Sequence, residues 1–225
     1  SRRQRQMCIR DRMEGADFVC LRLEGGDPNG ANKSTEELIG ELKEIADAVD
    51  LPLVVCGCKN VEKDAELFSK AAEALNGKNA VILSAKEENY KTVGAAAGLA
   101  YKQIVGAESA VDINLAKQLN VLISQLGVDS KSVVMNVGSA AVGYGFEYVI
   151  STMDRVKAAA LQQGDANLQM PIITPVASEA WGVKEAMASV SYSGITGKDI
   201  TWGEDGEPNK APLVVKVVDG EYTEL

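Results

Sequence analysis

Histidine is missing from all 225 residues of this chain. Its absence excludes Ser-His-Asp hydrolysis, the two-histidine zinc protease motif and any histidine-ligated metal. Basic residues are outnumbered: 23 Lys and Arg face 32 Asp and Glu, for a formal charge of −9. No Lys/Arg-rich tract occurs beyond the first dozen residues, so neither nucleic acid nor an anionic membrane is an expected partner. No apolar run reaches the ~18 residues that a membrane span needs, and no apolar stretch with a small-residue cleavage site opens the chain. The expectation is a cytoplasmic protein. No glycine-rich loop ends in Lys-Ser/Thr, and Gly25-Gly26 lacks the spacing of a dinucleotide fingerprint. Cysteine is sparse, with four in the chain. Cys56-Gly57-Cys58 brings two together, but structural zinc and cluster sites need about four ligands at wider spacing. Cys20 and Cys56 lie in apolar runs and read as strand-packing residues, whereas Cys58 falls at a strand end.

What is present is ordinary for one globular domain or slightly more: 46% hydrophobic and 24% charged residues. Short apolar runs alternate with longer amphipathic patterns, the signature of β/α units and a parallel sheet. The expected strands are Asp17–Leu23, Pro52–Cys56, Ala80–Ser84, a weak Gln103–Gly106, Ser132–Asn136 and Pro171–Pro175. Ser34 with Glu37 predicts a capping box, followed by Leu38, Leu42, Ile45, Ala46 and Val49 on one helical face. Further helices are expected from Val61 to a stop at Gly77, over Glu87–Tyr101, through Leu115 to Gly127, and over Phe146–Gln163. Six consecutive β/α units fit either a doubly wound sheet or most of an eight-stranded TIM (β/α)8 barrel. Both nucleotide fingerprints are weak, which favours the barrel.

In such a barrel the chemistry gathers at the carboxyl ends of the strands. The sequence delivers Asp27, Asn29 and Asn32 there after the first strand, and Cys58 and Asn60 after the second. Asp112 and Asn114 follow the fourth strand, and Asn136, Gly138, Ser139, Tyr144, Gly145 and Glu147 the fifth. Thr174, Glu179 and Trp181 follow the sixth. Amides, carboxylates and glycines on a rim with few cations suit a neutral, amide-bearing or heterocyclic ligand better than a phosphate. For Asp27, Asp112 and Glu147 the competing role is a loop turn or a helix cap, and Asn32 and Asn60 read more readily as caps. The glycines from Gly138 to Gly145 read as a binding loop.

The segments GADFVCLRLEGGDPNGAN, LPLVVCGCKNVEKD, AKEENYK, DINLAKQLNVLI, GYGFEY and PIITPVASEAWGVKEA carry a family resemblance. From Met13 to about Met187 the chain resembles the small subunit of the corrinoid iron-sulfur protein, called the delta subunit of the acetyl-CoA decarbonylase/synthase complex in methanogens. The resemblance implies a TIM barrel related to pterin-dependent methyltransferases. It implies a partner, the large corrinoid iron-sulfur subunit, with which the cobamide is shared at the interface. It also implies methyl transfer from methyltetrahydrofolate or methyltetrahydropterin, by way of a pterin methyltransferase, to acetyl-CoA synthase and CO dehydrogenase in the Wood-Ljungdahl pathway. The chain would then be a subunit of a methyl-transferring complex and no independent enzyme, and the lack of histidine agrees with a corrinoid left without a protein base. An autonomous pterin methyltransferase barrel is the alternative reading.

The resemblance also implies an incomplete barrel, about six of eight units, with the first and last strands missing. Both ends differ in character from the middle. Ser1–Arg12 is basic, and Met7-Cys8-Ile9-Arg10-Asp11 reads as translated sequencing adapter, with a solvated basic arm as the rival reading. From about Ala188 the chain turns to short alternating strands with Gly-Lys-Asp and Glu-Asp-Gly turns, which predict a β-hairpin tail. That tail, 188–225, resembles the carboxyl end of branched-chain amino acid binding proteins of ABC transporters, so a chimaeric reading frame joined within Lys184–Ser189 is expected. An extracellular amino acid binder is the third functional reading, resting on the tail alone.

Overall fold

In a computed structural model of the chain, the described residues are 17–141 and 143–176, with the backbone of 192–194, 197–200, 215–218 and 221–224. Five apolar runs form strands: β1 (Val19–Arg22), β2 (Leu53–Cys56), β3 (Val81–Ala85), β4 (Ile104–Glu108) and β5 (Val133–Asn136). They lie side by side in sequence order and every pair is parallel. Each connection therefore has to cross over, and helices do so: α1 (Thr35–Ala48), α2 (Val61–Ala74), α3 (Tyr90–Val93), α4 (Ile113–Gln125) and α5 (Phe146–Leu161). The result is an α/β fold on a parallel five-stranded sheet.

Local signals place these elements. Glu37 N–H donates to Ser34 Oγ and Ser34 N–H donates to Glu37 Oε2, completing the capping box of α1. Asn60 accepts from Lys63 N–H at the start of α2, and Asp112 from Asn114 and Leu115 N–H at the start of α4. The faces behind these caps are apolar and buried: Leu38, Leu42 and Ala46 on α1, Leu67, Phe68, Ala71 and Ala72 on α2, Ala116, Leu119 and Ile123 on α4. They pack on alternate strand residues, Leu53 and Val55, Ile82, Val105 and Ala107, Val133 and Met135, in one continuous core.

Two predicted elements come out differently. Pro171–Pro175 is a single parallel bridge of Ile172 to Met135, with Ile173 N–H donating to Met135 O at 2.8 Å. Prolines at both ends lack the amide hydrogens that would extend the ladder. The predicted helix Glu87–Tyr101 begins only at Tyr90, because the Asn89 side chain accepts from Lys86 N–H at 2.8 Å and closes a turn there. Its second half, Gly94–Ala100, is π-helical. Apart from Leu99 the widened turn is built from glycine and alanine, and it lies close against its neighbours.

Gly98 is the tightest point. A β-carbon there would stand 2.7 Å from Val128 Cγ2 and 3.2 Å from Val105 Cγ2. Helix propensity favours alanine over glycine by about 1 kcal/mol, but forcing a methyl against stiff valines costs about 1–3 kcal/mol. Gly98→Ala is therefore expected to destabilise the protein by about 1 kcal/mol net, read from the urea midpoint; a stabilised variant would show that the valines give way.

By its internal contacts the chain divides into two compact units, Ser1–Gly138 with Tyr148–Thr174, and Ser139–Glu147 with Pro175–Leu225. In the second, Tyr192–Gly194 pairs antiparallel with Gly197–Ile200, and Val215–Val218 with Glu221–Glu224. The basic start 1–12 and the stretch 184–189 lie outside the described residues. Among the described residues no helix is long and apolar enough to cross a membrane.

Candidate functional site

Side chains alternate across a sheet, so the residues between the core-facing ones share the opposite face. On that face stand Cys20 and Arg22 of β1, Val54 and Cys56 of β2, Gly106 and Glu108 of β4, and Val134 and Asn136 of β5. Toward the carboxyl ends it turns polar. The ladder pairs Arg22 with Cys56 and Glu108 with Asn136, and a register shift between Leu83 and Ala85 turns Ser84 toward the same group.

Asn136 is the hub. Buried at 3% exposure, it donates from Nδ2 to Ser84 Oγ at 2.8 Å and to Glu108 Oε2 at 3.4 Å, and its Oδ1 accepts Gly138 N–H at 3.0 Å. Lys86 Nζ stands 3.3 Å from Glu108 Oε1. Arg22 Nε is buried and makes no hydrogen bond among the described residues, with Glu24 Oε1 3.5 Å away. A buried guanidinium nitrogen without a hydrogen bond is a donor held ready, since leaving such a group unsatisfied costs about 1–3 kcal/mol.

Two thiols complete the group. Cys20 Sγ and Cys56 Sγ lie 3.5 Å apart across the β1–β2 pair. The hydrogen bond with Cys56 lowers the Cys20 thiol to about 7, with Arg22 adding to the effect against the opposing influence of burial. Cys56 moves far the other way, raised by that same bond, then by burial and by the negative charge on Cys20, with Glu108 contributing. The sequence reading of Cys20 as a packing residue is corrected here: it is exposed, because β1 is the edge of the described sheet and Cys20 points away from the helices. Among the described residues no cluster of three or more acidic or cysteine side chains is placed to hold a metal ion.

The sixteen residues singled out from sequence fall in different settings. Asn136 and Gly138 belong to the polar group, Gly138 at φ 86°. Asp27 accepts Asn29 N–H in a turn. Asn32 accepts Lys63 Nζ at 3.0 Å, Asn60 and Asp112 cap their helices, and the Asn114 amide is held by that Asp112 cap. Cys58 is buried, its thiol raised by burial, and its N–H donates to Asp64 Oδ1 at 2.7 Å. Thr174 Oγ1 lies 4.0 Å from Met153 Sδ. In the second unit, Ser139 is half-buried, Tyr144 is exposed, Gly145 has φ 107°, and Glu147 lies in the first turn of α5. Glu179 and Trp181 lie outside the described residues. Sequence reasoning did not select Arg22, Cys20, Cys56, Lys86 or Glu108. The period-two alternation of each strand carried the face of the four strand residues, but only the register joins them.

The curated relatives and the matching family model point to one family. Delta subunits of the acetyl-CoA decarbonylase/synthase complex are 37% identical in Methanopyrus kandleri and 36% in Methanothermobacter thermautotrophicus, each over 172 residues. Those matches take in 76% of this chain and 42% and 43% of the relatives. Subunit delta 1 of Methanosarcina thermophila is 32% identical over 84% of this chain and 42% of its own. A solved candidate phosphonomutase from Burkholderia cenocepacia shares 13% identity at a TM-score of 0.47, over 80% of this chain and 86% of its own. The chain spans about two fifths of the length of the delta subunits it matches. The family model for the CO dehydrogenase/acetyl-CoA synthase delta subunit matches residues 5–216, and with relatives this similar the chain belongs to that family.

Proposed function

We propose that this chain is part of the small subunit that helps to hold a cobamide shared with a large corrinoid iron-sulfur subunit, in a cytoplasmic complex that delivers methyl groups to acetyl-CoA synthase and CO dehydrogenase. The relatives are named as subunits of the acetyl-CoA decarbonylase/synthase complex, which supports the setting. The parallel sheet is compatible with a TIM barrel of which about six units are present in this chain. The observation that carries the ligand reading is the polar group around Asn136.

The residues present fit such a ligand. The rim of a corrin ring bears amides, which need both donors and acceptors. Ser84, Glu108 and Asn136 offer both, and the buried Arg22 Nε offers an unused donor. Cobalt, when bound, would carry the methyl group, and the protein's part is to bind, orient and exclude water. Asn136 and Ser84 would fix the amide edge, while the Lys86–Glu108 pair leaves the face near neutral in charge.

The test uses the complete subunit assembled with its large corrinoid partner. Asn136→Ala removes one neutral hydrogen-bonding hub, worth about 0.5–1.5 kcal/mol, or roughly 2- to 10-fold in cobamide retention. A shifted visible cobamide spectrum with weaker retention is expected. Normal assembly with an unchanged spectrum and unchanged retention would overturn the assignment.

A further inference from the structure

The cysteine pair on the sheet edge has chemistry that holding a ligand does not use. Cys20 is exposed on the outermost described strand, and Cys56 is half-buried on the next. The register pairs Cys20 with Val54 and Arg22 with Cys56, so the two thiols meet on a diagonal. Their sulfurs are 3.5 Å apart. An S–S bond of ~2.05 Å would need them to close by about 1.5 Å, and the diagonal placing of the two residues means that the edge strand has to shift as the side chains rotate. The asymmetry of the pair is chemical as well as spatial. The two sulfurs share a hydrogen bond that either can donate, and Arg22 favours the thiolate on both, but the Glu108 carboxylate opposes it on the inner sulfur, which burial also disfavours more.

We infer that Cys20 and Cys56 form a thiol–disulfide exchange site for low-molecular-weight disulfides, with Cys20 the attacking thiol and Cys56 the resolving one. Cys20 thiolate attacks one sulfur of the small disulfide, forms a mixed disulfide and expels the first small thiolate. Cys56 then attacks Cys20 Sγ, gives its proton to the medium and expels the second. Two protein thiols are oxidised to one disulfide, and one small disulfide is reduced to two thiols. The product ties the edge strand β1 covalently to β2, and an added dithiol reverses the reaction. A lowered thiol near the working pH favours the first step, since the thiolate is the nucleophile.

Peptide mapping of the full chain carrying Cys8→Ser, after exposure to glutathione disulfide and acid quench, tests this. The expected product is a Cys20–Cys56 disulfide with two glutathiones released per chain. Adding Cys56→Ala should stop the reaction at a Cys20–glutathione adduct. It should also raise the pH midpoint of Cys20 alkylation from about 7 toward the ordinary thiol value of about 8.5. A glutathione adduct that persists on Cys20 while Cys56 is present would overturn the inference, and so would an alkylation midpoint unmoved by Cys56→Ala.

Discussion

Gln103→Leu is expected to destabilise the protein by about 2–4 kcal/mol, although it keeps the volume of a fully buried side chain nearly constant. Gln103 joins three elements. Its Oε1 accepts Ala80 N–H at 2.6 Å, just before β3, and its Nε2 donates to Leu75 O at 2.9 Å and to Ala72 O at 3.5 Å, at the end of α2. Gln103 itself leads directly into β4. Leucine fills the space but leaves the Ala80 amide buried without its acceptor, at about 1–3 kcal/mol, and removes one bond from the Leu75 carbonyl, which keeps Lys78 N–H at 2.9 Å, at about 0.5–1.5 kcal/mol. Urea unfolding followed by circular dichroism measures this as a lower midpoint at constant slope. A loss below about 1 kcal/mol would mean that water or backbone movement satisfies the Ala80 amide, and that Gln103 is no structural hub.

Phe68→Ala is the second large effect, with an expected loss of about 3–5 kcal/mol. The ring is 1% exposed on the core face of α2, and with Leu67, Ala71 and Ala72 it helps form the helix layer over the sheet. Removing it deletes the transfer energy of the ring and leaves a void that the surrounding helices and strands fill only partly. For a chain of this size that loss lowers the melting temperature by roughly 6–20 °C. Phe68→Leu retains most of the volume and should cost far less, so calorimetry on both variants separates loss of packing from loss of any one contact. Equal losses in the two would argue against a cavity.

The two substitutions also mark the limit of what the sequence makes legible. Phe68 was readable as core because it recurs at helical spacing with Ala65, Ala72 and Leu75. Gln103, inside a weak strand signal, was readable only as polar. Its partners lie 23 to 31 residues away, and nothing local announces them. The fourth strand follows the same logic: its signal was faint, yet β4 is an interior strand paired on both sides, with Gly106 lying close against Leu83 and Ile82 O.

At the candidate site the division is similar. Asn136 was selected from sequence because it ends a strand, and the structure places it at the centre of the polar group. Asp27, Asn60 and Asp112 were selected on the same ground, and their carboxylate or amide oxygens serve a turn and two caps.

The sequence by itself determined the order of strands and helices, the caps at Ser34, Asn60 and Asp112, and the apolar faces, because each depends on residues within about one helical turn or along one strand. It also carried the family, through identity spread along most of the chain. Tertiary structure decided which polar side chains meet: Ser84 with Asn136 across 52 residues, Glu108 with Asn136 across 28, and Cys20 with Cys56 across 36. It likewise turned half of a predicted α-helix into a π-helical segment and cut a predicted strand to one bridge. The physical reason is shared. Register and close packing are properties of neighbouring elements together, and a one-residue change in register would send each of these side chains to the other face.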